Sequence, residues 1–337
     1  MTLGTIDDIE NCMENGWSDG LPVIPPYATL VEPMLAAMGW SSPTEVIGTI
    51  PEQKIEIRAE HAAATAVMAG CKPAWGRLLR TLTLALLDPR FNITAVEVTT
   101  GGPGVLVIVS GPIVAEYGFE HESNAYGANK RVNATIGRYA QMIRHFCGSG
   151  GGVLQAMGTI GHPGRISYCI AEHPDTTWAP YHTQWGLRAE ASAVTIMAAE
   201  APNSVNNHYA ESGALVLETI ADTLAHFGST SFYWRYSGYL IGIARDHMAL
   251  ISKEFNRDQA RRFVYEHAQR PTDELKRVGR IPRTPLEGQK VEFGQPRSPM
   301  SEEGQLTFIE CGGAGGRFSA VIPRWAGNFN AFSTVIS

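Results

Sequence analysis

Residues 93–113 read ITAVEVTTGGPGVLVIVSGPI, and residues 129–146 read NKRVNATIGRYAQMIRHF. The first stretch reads as strand, glycine turn, strand: two apolar, β-branched runs separated by residues that favour tight turns. The second repeats apolar residues at helical spacing, with Val132, Ile136, Tyr139 and Ile143 on one face. Beyond it lie the tract CGSGGG and then ISYCIAE at 166–172, which reads as another buried strand. A strand, a long amphipathic helix and a second strand make the basic unit of an α/β protein. The same alternation continues in both directions from here.

Toward the N-terminus, a short helix is expected over about 5–15, followed by an extended path through Pro22, Pro25 and Pro26. TLVEPMLAAMGW reads as a helix containing Pro33, and EVIGTIPEQKIEI as a two-stranded hairpin. An alanine-rich helix stops at Gly70, and another begins at or just after Pro73. Toward the C-terminus, ASAVTIMAA and YLIGIA read as buried strands flanking the helix ESGALVLETIADTLAHFG. DHMALISKEF and NRDQARRFVYEHA are helices, the second opened by Asn256 with Gln259 three residues on, as in a capping box. Residues 270–304 are rich in Pro, Arg and Glu and read as an exposed excursion. QLTFIECGGAGGRFSAVI brings a strand and a glycine loop. No internal repeat is visible. The expected fold is α/β or mixed α+β and compact, with Gly-rich loops at strand ends. It forms either one elaborate domain or two lobes: residues 1–190 with Cys71 and Arg138, and residues 191–337 packed on them.

Of the 337 residues 44% are hydrophobic and only 18% charged, below the usual quarter. So few charges suggest that part of the surface is covered by other copies of the chain, and a homo-oligomer is expected. A net charge of -6 offers no footprint for nucleic acid or an anionic membrane. No apolar run reaches membrane-spanning length, and MTLGTIDDIENC has no signal-like core. Five widely spaced cysteines fit a reducing cytoplasm better than a disulfide framework. No CxxC or HExxH spacing is present, so neither a metal nor a cofactor is expected from motifs, although distant residues could assemble a metal site.

Cys71 lies in AVMAGCKPAWGRLL, between the two helices at 70–73. If Pro73 opens the second helix, unpaired N–H groups and the macrodipole would favour a thiolate there, with Lys72 beside it. The alternative is a small hydrophobe filling a corner. Arg131, Arg138 and His145, each seven apart, form a basic line beside the apolar stripe, which with Asn133 could hold a carboxylate. Glu172 and His173 end a buried strand, where ligands settle in α/β sheets, with Trp178 and His182 in the loop beyond. Glu172 suits proton transfer, and His182 or His247 could serve as the acid a thiolate nucleophile needs. His162 and His226 read as structural. The tracts GGPG (101–104), GSGGG (148–152) and GGAGG (312–316) fit no dinucleotide or P-loop fingerprint. GGAGG suits a turn or a ligand loop equally.

DGLPVIPP, VMAGCKP, NATIGR, HPGRISYCIAEHPDTTWAPYH, ARDHM with two following helices, and GGAGGRFSAVIPRW occur in this order along almost the whole chain. Together they resemble a family of bacterial proteins associated with small redox proteins that carry a Gly-Ser-Cys motif after a cysteine or selenocysteine. The resemblance implies that Asp19, Cys71, Asn133, Arg138, Arg165, Glu172, Trp178 and His182 occupy signature positions. It implies no particular reaction. HPDTTWAPYH departs from the more acidic, Ser-Pro-Trp form of that segment, which puts a shared substrate in doubt.

The expected function is a cytoplasmic enzyme of hydrolase or lyase type acting on a small, carboxylate-bearing molecule. Cys71 would attack, Glu172 and His182 would move protons, and Asp19, Asn133, Arg138, Arg165 and Trp178 would bind substrate. Two alternatives stand beside it. In one, a redox enzyme forms a mixed disulfide with a small partner protein through Cys71. In the other, a non-enzymatic binding or scaffold subunit keeps Cys71 as packing.

Overall fold

The computed structural model describes residues 4–50, 55–127, 129–147, 157–229, 232, 238–284, 294–325 and 331–337, without the side chains of 144–147. The tract GSGGG and the His145 side chain lie outside the described residues. Helices and strands alternate throughout, so the chain is a mixed α/β protein, as expected. It divides into two units, each built from separate pieces of chain. The first holds residues 1–174, 182–198 and 329–337, and the second holds 175–181 and 199–328. The lobes expected at 1–190 and 191–337 were contiguous, whereas these units exchange the chain four times.

In the first unit, α1 (Ile6–Glu14) opens with a capping box in which Thr5 and Asp8 satisfy each other's backbone N–H. α2 (Ala28–Ala37) carries Pro33 inside it. β1 (Val46–Ile50) and β2 (Ile55–Arg58) form the expected antiparallel pair. α3 (Ala59–Ala69) buries almost every residue, since alanine lets its neighbours approach closely. It stops at Gly70, whose φ of 89° is left-handed. The Gly70 N–H donates to the Val67 carbonyl and the Cys71 N–H to that of Ala66, a Schellman closure. A 3-10 turn, Pro73–Trp75, leads into α4 (Gly76–Leu86).

Residues 93–98, expected as a strand, form the helix α5 (Ile93–Val98). The Asn92 side chain accepts from the Ala95 N–H, and Ile93, Val96 and Glu97 are buried at helical spacing. The cap and this three-four spacing override the β-branched composition. β3 (Gly104–Ser110) is wholly buried, as a strand covered on both faces must be. α6 (Ile113–Tyr117) and α7 (Arg131–Cys147) follow, and α7 buries Val132, Ile136, Tyr139 and Ile143 as its periodicity requires. β4 (Cys169–Ala171) then pairs parallel with β3, and β5 (Ala193–Ala199) completes this part of the unit.

The second unit begins with β6 (Asn203–Asn206) and α8 (Gly213–Leu224), the latter capped by Ser212. β7 (Tyr239–Ile243), α9 (Arg245–Ile251) and α10 (Arg257–His267) follow, with the expected Asn256–Gln259 capping box. The segment read as an exposed excursion contains β8 (Arg270–Pro271), α11 (Thr272–Arg277) and β9 (Pro296–Arg297). Among its described residues Leu275, Ile281 and Met300 join the core of this unit. Its arginines misled: Arg270, Arg280 and Arg297 donate to the carbonyls of Ala225, Ser229 and Phe232 and act as backbone clamps. β10 (Leu306–Glu310) and β11 (Phe318–Pro323) complete the unit. The chain then returns to the first unit with β12 (Phe332–Val335).

Each unit has a four-stranded sheet, and the two strand orders match: β4-β3-β5-β12 in the first and β10-β7-β11-β6 in the second. Each has a parallel pair, β3/β4 and β7/β10, separated along the chain by helices. Each also has an antiparallel outer strand, β12 on β5 and β6 on β11. The outer strands are exchanged: β6 follows β5 in sequence but joins the second sheet, and β12 follows β11 but joins the first.

Candidate functional site

Because β3 and β4 run parallel, with Val109 opposite Ala171, both end at the same edge of the sheet. Ser110 closes β3, while Glu172 and His173 follow β4, with the Glu172 N–H still donating to the Val109 carbonyl at 2.9 Å. This carboxyl-end edge is where open α/β sheets bind ligands. α6 ends at Gly118, whose φ is 68°. The chain then enters a loop that α7 holds in place. Buried Asn133 accepts from the Glu120 N–H at 2.9 Å and donates to its carbonyl at 3.0 Å. The Glu122 N–H donates to the Glu120 carboxylate at 3.0 Å. His121 and Glu122 are thereby fixed on a backbone locked from two sides.

His121 Nδ1 lies 3.1 Å from the Phe119 carbonyl. A carbonyl only accepts, so Nδ1 carries the proton and the Nε2 lone pair is left for chemistry. The His121 and His173 rings meet edge to face, with centroids 4.9 Å apart. His173 Nε2 is 3.6 Å from Glu122 Oε1. Among the described residues, His121, Glu122 and His173 form the group whose donor atoms could share one metal ion, all within 4.8 Å of one another. The His173 and Glu122 side chains are 7% and 61% exposed, so the cluster has one dry wall and one open side. Buried Glu172 adjoins it in sequence.

The expected activation of Cys71 is reversed by its surroundings. The residue closes α3 at that helix's carbonyl-rich, negative end, while Pro73 opens only a 3-10 turn and the α-helix beyond begins at Gly76. It is buried, and its thiol donates to the Thr135 carbonyl at 3.4 Å. Burial pushes the thiol up to about 12, and the Thr135 contact and the charges of Arg131 and Arg138 offset this only in part. Cys169 is raised in the same way, first by burial and then by Cys71 nearby.

The basic line on α7 ties chain to chain. Arg131 donates twice to the Gly70 carbonyl. Arg138 forms a two-pronged pair with Asp19, at 2.9 and 2.6 Å, and also reaches the carbonyls of Leu21 and Pro22. Partial burial works against the Asp19 charge, yet Arg138 holds that carboxyl below its usual range. The two expected substrate-binding groups thus bind each other. Arg165 donates to the Pro103 carbonyl and to Glu97. Trp178 packs edge-to-face on Phe308 within the second unit, with Arg257 over its ring.

His182 is fully buried in the first unit. Its Nδ1 accepts from the Ser110 hydroxyl at 2.8 Å, and its Nε2 donates to the Arg188 carbonyl at 2.9 Å. His247 repeats this pattern in the second unit with Ser319 and the Asn207 carbonyl. Burial lowers the pKa of both. In the GGAGG loop, the Gly315 N–H donates to Asp246. The sequence marks Glu172 for proton transfer and Asn133 for substrate binding and places His173 at the strand end, whereas Asn133 here holds Glu120, and it does not single out His121 or Glu122. The available signal was a His-Glu pair in a loop just ahead of the helix that carries Asn133.

Compared with family models, curated proteins and solved structures, the chain matches none. Among the described residues no helix is long and apolar enough to cross a membrane.

Proposed function

We propose that this chain is an enzyme acting on a small polar molecule, with proton transfer carried by His121, Glu122 and His173 and supported by Glu172. The observation behind this reading is the convergence of two imidazoles and a carboxylate within 4.8 Å, at the ends of two parallel strands. An imidazole whose Nδ1 is tied to a backbone carbonyl presents its Nε2 as a base, and a carboxylate beside a second imidazole suits the return of the proton. Hydrolysis and elimination need such a pair. The thiolate reading loses ground because burial keeps Cys71 protonated near neutral pH. A mixed disulfide with a small redox protein needs the same accessible thiolate and is weakened equally.

A cytoplasmic homo-oligomer belongs to the same proposal. Cys12, Cys71 and Cys169 are free thiols, which suits a reducing compartment. Trp17, Leu21, Ile24, Tyr27 and Leu30 are exposed along one short stretch, which suits contact with another copy. Light scattering should give a multiple of 36.6 kDa, and a monomer at micromolar concentration would remove this part.

The test of the activity is to incubate the protein with a small-molecule extract of bacterial cells and follow depletion by mass spectrometry. Compounds consumed by the wild type should persist with His173→Ala or Glu122→Gln and be consumed normally by Cys71→Ser. The reverse pattern returns the chemistry to the thiol.

A further inference from the structure

The geometry points to a divalent transition-metal site at His121, Glu122 and His173, three protein ligands from two loops at one sheet edge. The inference rests on the active site proposed above and refines its roles: in the ion-loaded protein His121, Glu122 and His173 hold the ion, and proton transfer falls to Glu172. Two imidazoles and one carboxylate are the donor set that zinc, iron(II) and cobalt(II) accept with coordination positions left open for water or substrate. Metal bonds of about 2.0–2.2 Å place neighbouring donors in a tetrahedral site roughly 3.3 Å apart. His173 Nε2 and Glu122 Oε1 are already 3.6 Å apart, and no pair of donor atoms exceeds 4.8 Å. The remaining closure can come from Glu122, the most exposed of the three.

The surroundings of the donors strengthen the assignment. A ligating histidine characteristically donates its other ring N–H to a carbonyl or carboxylate, and His121 does so to Phe119. Asn133 grips Glu120 on both its N–H and its carbonyl, so the loop bearing two of the ligands is set before any ion arrives. The two rings meet edge to face at 89°, so neither lies flat over the other, and the donor atoms of both stay within 4.8 Å of Glu122. Among the described residues the ionisable partner of Glu122 is His173. A simple His173–Glu122 ion pair would account for two of the three groups but not for His121.

The full-length protein, stripped with chelator and dialysed, is titrated with zinc against a chromophoric competitor and separately with cobalt(II). The expected result is a single equivalent of zinc held at micromolar affinity or tighter. Cobalt(II) should give visible d–d bands without the intense charge-transfer band of thiolate ligation. His121→Ala and Glu122→Ala should abolish both signals. Asn133→Ala, one step behind the ligands, should weaken affinity about 10- to 100-fold. Glu122 is exposed, so Glu122→Ala tests the site even if the His173 variant fails to fold. Absence of zinc binding overturns the site, as does binding that survives both His121→Ala and Glu122→Ala. If no ion binds while extract turnover still depends on His173, the metal is refuted and the proton-transfer reading stands. If the ion binds through these residues while turnover ignores them, the site stands and that reading falls.

Discussion

Cys71 illustrates how one residue's position along a helix axis sets its chemistry. The sequence shows a cysteine between two helices, and which end it faces depends on a hydrogen bond that sequence does not display. Gly70 in a left-handed conformation hands the Cys71 N–H back to Ala66, which assigns the thiol to the end of α3 rather than the start of α4. The consequence is measurable. A thiol raised by burial stays protonated in the fold at a pH where the unfolded chain has already ionised. Its contribution is therefore complete below about pH 9 and is lost as pH rises. His182 and His247 act at the other limit. Burial lowers their pKa, so the unfolded chain gains protons first and stability falls as pH drops below about 6.5. Urea midpoints should thus be flat between these limits and fall on both sides. The alkaline slope should approach about 1.4 kcal/mol per pH unit for each buried thiol. Cys71→Ala should flatten that slope, and an unchanged alkaline limb in this variant would contradict the account.

Elements were legible where composition and period agreed and obscure where they competed. α7 was readable because four apolar residues recur at helical spacing, whereas α5 was not, because its β-branched residues look like strand until Asn92 is recognised as a cap. The candidate site was half legible for a related reason. Glu172 and His173 end a recognisable strand, but His121 and Glu122 sit in a loop whose course is set by Asn133 from the next helix. Asp19 and Arg138 were each expected to bind substrate, and in the fold they bind each other. Gly137, inside α7, provides a test of packing against propensity. Glycine to alanine in a helix interior ordinarily gains about 1 kcal/mol. Here a Cβ would lie 2.7 Å from the Tyr168 backbone nitrogen and 2.4 Å from Ser167 Oγ, at the entry to β4. Gly137→Ala should therefore lose about 1–3 kcal/mol in a urea melt. A gain would mean that α7 and the chain entering β4 are less closely seated than described.

At the scale of the whole chain, the sequence conveyed the class but not the shared strand order of the two sheets. GVLVIVS and YLIGI share only apolar character, because a strand buried on both faces asks for hydrophobic bulk and not for particular residues. Two sheets with one strand order can therefore arise without a repeat that the eye can find. The exchange of β6 and β12 is still less visible, since no local pattern says which sheet a strand joins. It makes a definite prediction. Removing residues 331–337 strips β12 from β5 and leaves an open edge on a sheet of the first unit. The shortened protein should melt earlier and aggregate, and its loss should be far larger than that from removing residues 4–10. A truncated protein that stayed monodisperse with an unchanged melting temperature would show that β12 contributes little.

The exchanged strand also sets a schedule for synthesis. The ribosome delivers β3, β4 and β5 early, but the strand that completes their sheet emerges only after all of residues 199–328. At about 5–20 residues per second, that interval lasts roughly 6–30 seconds. During it the nascent first unit carries an unpaired apolar edge while the competing strand β6 emerges beside it. A trigger for chaperone engagement is thus written into the order of the strands. The two halves of this molecule reach completion nearly together, however early the first was begun.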